Sequence, residues 1–132
     1  MGWQSYGLDR RAQALVLDAK ERDSASLNQS HKMRMAAAYG LERFWGEHLR
    51  LQGRTADESK AEFWKGTWDA LVDVMAQAGV TIPNDPVNPN QVREIQAMSS
   101  KLWDVKSEEQ RVAIAVLTQL CDCIVWWTQR YK

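Results

Sequence analysis

The chain has 132 residues, 45% of them hydrophobic and 26% charged, which is ordinary for one soluble globular domain. Its 17 Lys and Arg residues balance 17 Asp and Glu residues, which excludes a strongly basic nucleic-acid tail and a disordered polyelectrolyte. No apolar run approaches the roughly 18 residues of a membrane span, and the N-terminus lacks a secretory signal pattern. We therefore expect a cytoplasmic protein with no membrane partner.

Apolar residues recur at spacings of three and four along most of the chain, which predicts α-helices, and no alternating stretch reads as a strand. Pro83, Pro86 and Pro89 interrupt this pattern and predict one loop. Because the other connections are short, the expected fold is all-α, a single-domain antiparallel bundle of about five helices over residues 1–132. The predicted helices span about 6–22, 26–52, 55–78, 89–102 and 107–130, and Gly40 and Gly46 are the positions at which the second of them can bend.

Residue pairs typical of capping boxes mark four of the predicted helix starts, each joining a Ser, Thr or Asn to a Glu or Gln three residues later. Gly53 and Gly79 stand just past the predicted ends of the second and third helices, where a glycine commonly terminates a helix. The four pairs are Ser26 with Gln29, Thr55 with Glu58, Asn88 with Gln91, and Ser107 with Gln110.

The sequence offers little catalytic or metal chemistry. His31 and His48 lie about 100° apart on a helical wheel, so they do not converge, and no Glu-x-x-His motif exists. His48 is on an apolar face, which favours a packed, hydrogen-bonded imidazole over a ligand or base. Cys121 and Cys123 point away from each other on one helix, so they are expected to be free thiols in a reducing cytoplasm. We predict no enzyme, metal or cofactor.

Charge is unevenly distributed along the chain. Residues 1–54 hold nine basic and six acidic groups, whereas residues 55–132 hold eight and eleven. On the predicted helix 26–52, four basic side chains lie within about 40° of one another, and Arg10 and Arg11 extend this stripe if the first helix packs alongside. The stripe can hold a phosphate backbone by counterion release, although a solvated face with ion pairs is the ordinary role of such residues. The four side chains are Lys32, Arg43, Arg50 and Arg54.

The last predicted helix is apolar over more than half of its circumference, which is typical of a helix at the centre of a bundle or shared with a partner. Trp126 falls opposite much of that apolar arc, so it is a candidate interface anchor, or else a side chain folded over the end of the bundle. Trp45 also lies off the main apolar stripe of its helix, which makes a second exposed patch plausible.

Two segments resemble a known family. Residues 8–15, LDRRAQAL, open a short basic helix, and residues 113–120, AIAVLTQL, lead into IVWWTQRY at 124–131, a Leu-rich run followed by Trp, a basic residue and an aromatic. This order, with the length and helical content, is similar to the small all-helical subunit of type III CRISPR effector complexes. Residues 38–41, AYGL, resemble a small-residue helix start in the middle of that subunit.

The resemblance implies a structural role in antiviral defence. Such subunits stack along the complex, line the channel for the guide RNA and target RNA, and are not the nuclease. The six basic residues Lys32, Arg43, Arg50, Arg54, Arg10 and Arg11 are then expected to contact the RNA backbone. Trp45, Trp126 and Tyr131 are expected to contact neighbouring subunits, including copies of this chain.

An alternative from another class remains open. The protein is then a helical adaptor, or a phage-type accessory protein, that binds a protein partner through its tryptophan patches. A more remote third alternative is an enzyme that uses Asp69 and Asp73, which share a helix face at a spacing of four.

Overall fold

The computed structural model describes residues 7–132 and is all-α, as the sequence predicts. This range contains six α-helices and no strand, and three short 3-10 segments join the first four helices: Ser24–Asn28, Ala37–Tyr39 and Thr55–Asp57. Residue 6, the predicted start of the first helix, lies outside the described residues. The helices are α1 Leu8–Arg22, α2 Gln29–Ala36, α3 Leu41–Leu51, α4 Glu58–Gln77, α5 Val92–Trp103 and α6 Ser107–Tyr131.

The main departure from the predicted elements is the helix expected over 26–52, which is a 3-10 segment, α2, a second 3-10 segment and α3. Gly40 separates α2 from α3 with φ 102° and ψ 173°, a conformation that only glycine adopts without strain. The chain therefore turns at Gly40, whereas Gly46 lies inside α3 without interrupting it. This break raises the helix count from about five to six.

The predicted capping boxes are not formed. Asp23, rather than Ser26, caps the segment before α2, because its carboxylate accepts the backbone N–H of Ala25 at 3.0 Å. Ser26 is buried instead, and its hydroxyl has no hydrogen-bond partner among the described residues. No side chain caps α4, which begins at Glu58.

The last two predicted helix starts differ as well. Asn88 accepts the backbone N–H of Asn90 at 2.9 Å within the loop, but α5 begins only at Val92, and Glu94 rather than Gln91 accepts the N–H of Asn88. The side chain of Gln110 donates to the carbonyls of Trp103, the last residue of α5, and Val105 instead of returning to Ser107.

Both predicted terminating glycines are confirmed. Gly53 and Gly79 have φ angles of 91° and 84°, respectively. At Gly79 the two hydrogen bonds of a Schellman motif form, from Gly79 N–H to Ala76 and from Val80 N–H to Met75.

The core is formed where α1, α4 and α6 meet, with α2 and α3 closing it on the other side. α1 and α4 approach closely at Gly66, where an added β-carbon would come within 3.1 Å of the Leu15 side chain. α2 is fastened to α6 by a buried hydroxyl pair, Ser30 with Thr128 at 2.5 Å. An ion pair between Arg34 and Asp122, also 2.5 Å, ties the same two helices at the surface.

α6 is the longest helix, with 25 residues, and an 18-residue window within it has a mean hydropathy of 1.3. By length and composition it could cross a membrane, a test that the core helix of a soluble protein also passes. In this fold α6 packs against α1, α2 and α4, and 39% of the window is buried. The absence of a membrane partner stays a prediction.

Candidate nucleic-acid groove

The turn at Gly40 creates a groove of about 260 Å³ between α2 and α3, with α4 beneath it. The groove collects basic, aromatic and aliphatic side chains from three helices and from the 3-10 segment before Gly40. Its lining residues are Gln29, Lys32, Met35, Ala36, Tyr39, Arg43, Glu47, Arg50 and Trp64.

Three of the four residues of the predicted stripe, Lys32, Arg43 and Arg50, line this groove although they are not on one continuous helix. All three are exposed. Arg50 pairs with Glu47 one turn earlier, and its side chain is still 58% exposed. Lys32 and Arg43 have no carboxylate within salt-bridge distance among residues 7–132. The groove therefore carries two uncompensated cations and one that shares its charge with Glu47.

An exposed aromatic ring adds a second kind of contact surface. Tyr39 is 67% exposed, and the Arg43 guanidinium lies 5.3 Å from the centroid of its ring. Met35 on the neighbouring turn is 68% exposed. A planar base could stack on Tyr39 while the cations contact the phosphates on either side of it. The sequence pattern does not single out Tyr39 or Met35 as site residues, because on a straight helix they have no reason to lie in a groove.

The base of the groove is rigid because its large side chains are held by several contacts. Trp64 is 2% exposed, and its indole N–H donates to the Gln29 side chain at 3.0 Å. Phe44 packs against Trp64 with ring centroids 4.9 Å apart. The hydroxyl of Thr67 lies 3.6 Å from the sulfur of Met33. These contacts connect α2, α3 and α4, so the groove exists before any ligand arrives.

The other predicted RNA contacts lie elsewhere. Arg54 is exposed beyond the end of α3 and does not line the groove. Arg11 forms an ion pair with Asp73 of α4 at 2.6 Å. Arg10 is exposed on α1, whose main neighbours are α4 and α6. The expected continuous stripe is therefore corrected: α1 does not extend it, and the break at Gly40 replaces the straight rod with a groove.

The three predicted interface aromatics have different environments. Trp45 is 2% exposed and packs edge-on against His48, so the expectation that it contacts another subunit is corrected. Tyr131 is half-buried, stacks on Trp127 and accepts a hydrogen bond from the Gln13 side chain at 2.9 Å. Only Trp126 offers a largely free ring, 56% exposed, in a shallow depression shared with Gln129 and Arg130.

The two cysteines and the Asp69 and Asp73 pair considered from the sequence lie outside this groove. Burial raises the pKa of the Cys121 thiol to about 12 and that of Cys123 to about 11, so both are protonated at neutral pH. Asp69 and Asp73 pair with Lys65 and Arg11. No group of three potential metal ligands exists between residues 7 and 132.

His48 is packed and hydrogen-bonded, as the sequence predicts. It is 7% exposed, and its Nδ1 lies 2.5 Å from the carbonyl oxygen of Trp45. Burial is the largest cause that lowers its pKa, and the nearby Lys65 ammonium adds to that effect.

Comparisons with known proteins give no relative from which a role for the groove could be taken. No protein-family model matches the chain, and no curated protein or solved structure does either.

Proposed function

We propose that the protein is a non-catalytic RNA-binding subunit that holds RNA by its backbone in an RNA-guided complex of the type III CRISPR kind. The observation that carries the proposal is the groove in which Lys32, Arg43 and Arg50 surround the exposed ring of Tyr39. In this proposal the six helices form one antiparallel bundle and a single cytoplasmic domain. The continuous buried core that connects α1, α2, α3, α4 and α6 supports that architecture.

The chemistry of the groove suits a single RNA strand. Cations neutralise phosphates and release counterions, and an aromatic ring stacks on a base whatever its identity. Three neutralised phosphates predict that the logarithm of the affinity falls with the logarithm of salt concentration with a slope of about −2. Such binding is weak for one copy, which fits a chain of zero net charge.

Repetition would strengthen weak binding. If copies of the chain stack along a complex, their grooves contact one RNA together, and effective concentration multiplies small affinities. Trp126 is a candidate for contact with a neighbouring copy or another subunit, because it is 56% exposed next to Arg130.

The decisive binding experiment compares charge placement at constant net charge. In the variant R43E/R50E two groove cations are reversed; in the control R93E/R111E two exposed arginines on α5 and α6 are reversed. Fluorescence anisotropy with a labelled 20-nucleotide single strand should show a loss on the order of 100-fold for the groove variant, about 1.4 kcal/mol per reversed charge. The control should lose far less. Equal losses for the two variants would contradict the groove assignment.

A second candidate function is a protein-binding adaptor, and the exposure of Trp126 favours it. Purification of the tagged chain with and without ribonuclease separates the two candidates. RNA of discrete length that co-purifies and is lost with ribonuclease supports the RNA subunit. A single protein partner that survives ribonuclease and is lost in Trp126→Ala supports the adaptor.

A further inference from the structure

The opposite face of α3 lines a separate cleft. Arg43, Glu47 and Arg50 point to the groove, whereas Trp45 and His48 lie about 150° around the helix and face the cleft. The cleft has a volume of about 430 Å³ and lies between α3, α4 and the proline-containing loop. This size is within the range of small-molecule sites.

The base of the cleft presents one unused hydrogen-bond acceptor. A carbonyl oxygen can only accept, so the contact between His48 and the Trp45 carbonyl places the imidazole proton on Nδ1. In the neutral ring Nε2 then carries a lone pair. No described residue donates to this nitrogen, although the side chain is more than nine-tenths buried. Because His48 lines the cleft, this acceptor is available to a ligand bound there.

The rim of the cleft is rich in carboxylates. Glu58, Glu62 and Asp85 line it, against the single ammonium of Lys65. Three of these four groups already have partners: Glu62 pairs with Arg22 at 2.8 Å, Asp85 with Lys101, and Lys65 with Asp69. Glu58 is exposed and has no ion pair within the described part of the chain. Among the polar groups of the cleft, Nε2 of His48 and the Glu58 carboxylate therefore remain as hydrogen-bond acceptors without a partner among the described residues, and Glu58 is negatively charged.

The loop wall is preformed. The Asn84 side chain accepts from the Trp68 indole N–H at 3.1 Å and donates to Asp69 at 3.0 Å. Ile82 is buried at 2% exposure, and Asp85 is tied to Lys101 of α5. Pro86 and Val87 thereby line the cleft together with Trp45 and Ala61, which are themselves almost fully buried. A ligand with a flat apolar body can enter without ordering the loop.

We propose that this cleft binds a small organic cation with a planar amidinium or guanidinium group. The N–H groups of such a cation would donate to Nε2 of His48 and to the Glu58 carboxylate, and its apolar body would lie against Pro86 and Val87 of the loop. A planar cation suits two acceptors better than a point charge does, because its donors have a fixed fork geometry. An anion of the same shape would meet three carboxylates and only one ammonium, which is already occupied.

Three probes of one shape test the proposal on the full chain. Benzamidinium, benzamide and benzoate differ mainly in charge and donor count. Isothermal titration calorimetry should give benzamidinium an affinity at least tenfold higher than benzamide and no measurable binding of benzoate. On addition of benzamidinium at pH 7, the 15N resonance of His48 Nε2 should shift. Equal binding of benzamide or benzoate, or an unmoved Nε2 resonance, would overturn the proposal.

Two variants localise the site. His48→Asn keeps a donor near the Trp45 carbonyl and removes Nε2, and should weaken benzamidinium binding at least tenfold. Glu58→Gln, at an exposed position, should weaken it about tenfold, whereas the control Glu108→Gln on α6, also exposed, should leave it unchanged. If Glu58→Gln binds as tightly as the parent chain, the cleft is not the site. Circular dichroism at 222 nm verifies that each variant is folded.

Discussion

The two faces of α3 line two different surfaces of the molecule, although the helix is only 11 residues long. One face carries Arg43 and Arg50 into an open groove whose cations are partly uncompensated. The other carries Trp45 and His48 into a cleft whose polar groups are mostly paired and whose free capacity is that of an acceptor. One short amphipathic helix thus separates a surface suited to a polyanion from a cavity suited to a cation.

The largest change in the free energy of unfolding is expected for a buried core residue of α3, compared with an exposed residue of the groove. Phe44 is 1% exposed and contacts Trp64 and Trp68, so Phe44→Ala leaves a cavity and should lower the free energy of unfolding by about 3–5 kcal/mol. Tyr39→Ala, in the groove, should change it by less than about 0.5 kcal/mol because the ring is mostly exposed. Urea denaturation measures both. A similar loss for the two variants would mean that the groove is part of the core.

The turn between the helices gives the next effect. Gly40→Ala places a side chain at φ 102°, which should cost about 1–3 kcal/mol of unfolding free energy and displace α2 relative to α3. RNA affinity should therefore fall as well. The control Gly46→Ala lies in the body of α3, where a β-carbon would be 3.8 Å from the Glu42 carboxylate, and should stabilise by up to about 1 kcal/mol. If both substitutions stabilise the chain, the helix is continuous in solution.

Removal of the stacking ring sharpens the groove side of the comparison. Tyr39→Ala should weaken single-stranded RNA binding by about 1 kcal/mol, at the lower end for a stacked base because Arg43 already contacts the ring. Tyr39→Phe keeps the ring and should bind as the parent chain does. Fluorescence anisotropy at fixed salt distinguishes them. Loss of binding in Tyr39→Phe would assign the contact to the hydroxyl rather than to stacking.

The smallest expected effect is the dependence of stability on pH that arises from His48. The pKa of His48 is lowered in the folded protein, chiefly by burial, so the unfolded chain takes up the proton more readily. The free energy of unfolding should therefore decrease as pH falls below the ordinary value of about 6.5. Lys65 and Asp69 are the charged groups that act on this ring, the first lowering and the second raising its pKa. Urea midpoints between pH 7.5 and 5 should show a slope that His48→Asn reduces; an identical slope would assign it to other groups.

Much of the fold follows from local sequence. The all-α class, the loop around Pro83 and Pro86, and the terminating roles of Gly53 and Gly79 all rest on backbone preferences that act within a few residues. The turn at Gly40 could not be predicted in the same way. Ala37 and Ala38 favour a helix by themselves, and a glycine inside a helical pattern is tolerated at a cost of about 1 kcal/mol. Whether the chain bends or turns at Gly40 depends on long-range packing, that of α2 on α6 and of α3 on α4, which the local sequence does not contain.

The site shows the same division. Charge spacing identified Lys32, Arg43 and Arg50, which do share one groove, but the straight-helix geometry also added Arg54 and omitted Tyr39. The expected exposure of Trp45 was wrong, because a position off the main apolar stripe of a helix is still buried when neighbouring elements pack around it. A helical wheel gives the direction of a side chain around its own helix axis. Whether that side chain is buried depends on which other elements pack against that side of the helix.

The contact between α2 and α6 has a thermodynamic consequence. Ser30 holds α2 to α6, and the Trp64–Gln29 and Phe44–Trp64 contacts join α2 and α3 to α4, so the groove is connected to α6 through α2. A strand bound across Lys32 and Arg43 would add a further link between α2 and α3. Its binding should slow amide hydrogen exchange not only along the groove but also at the remote contact between α2 and α6. Binding of a strand in the groove would then make the helices unfold more cooperatively.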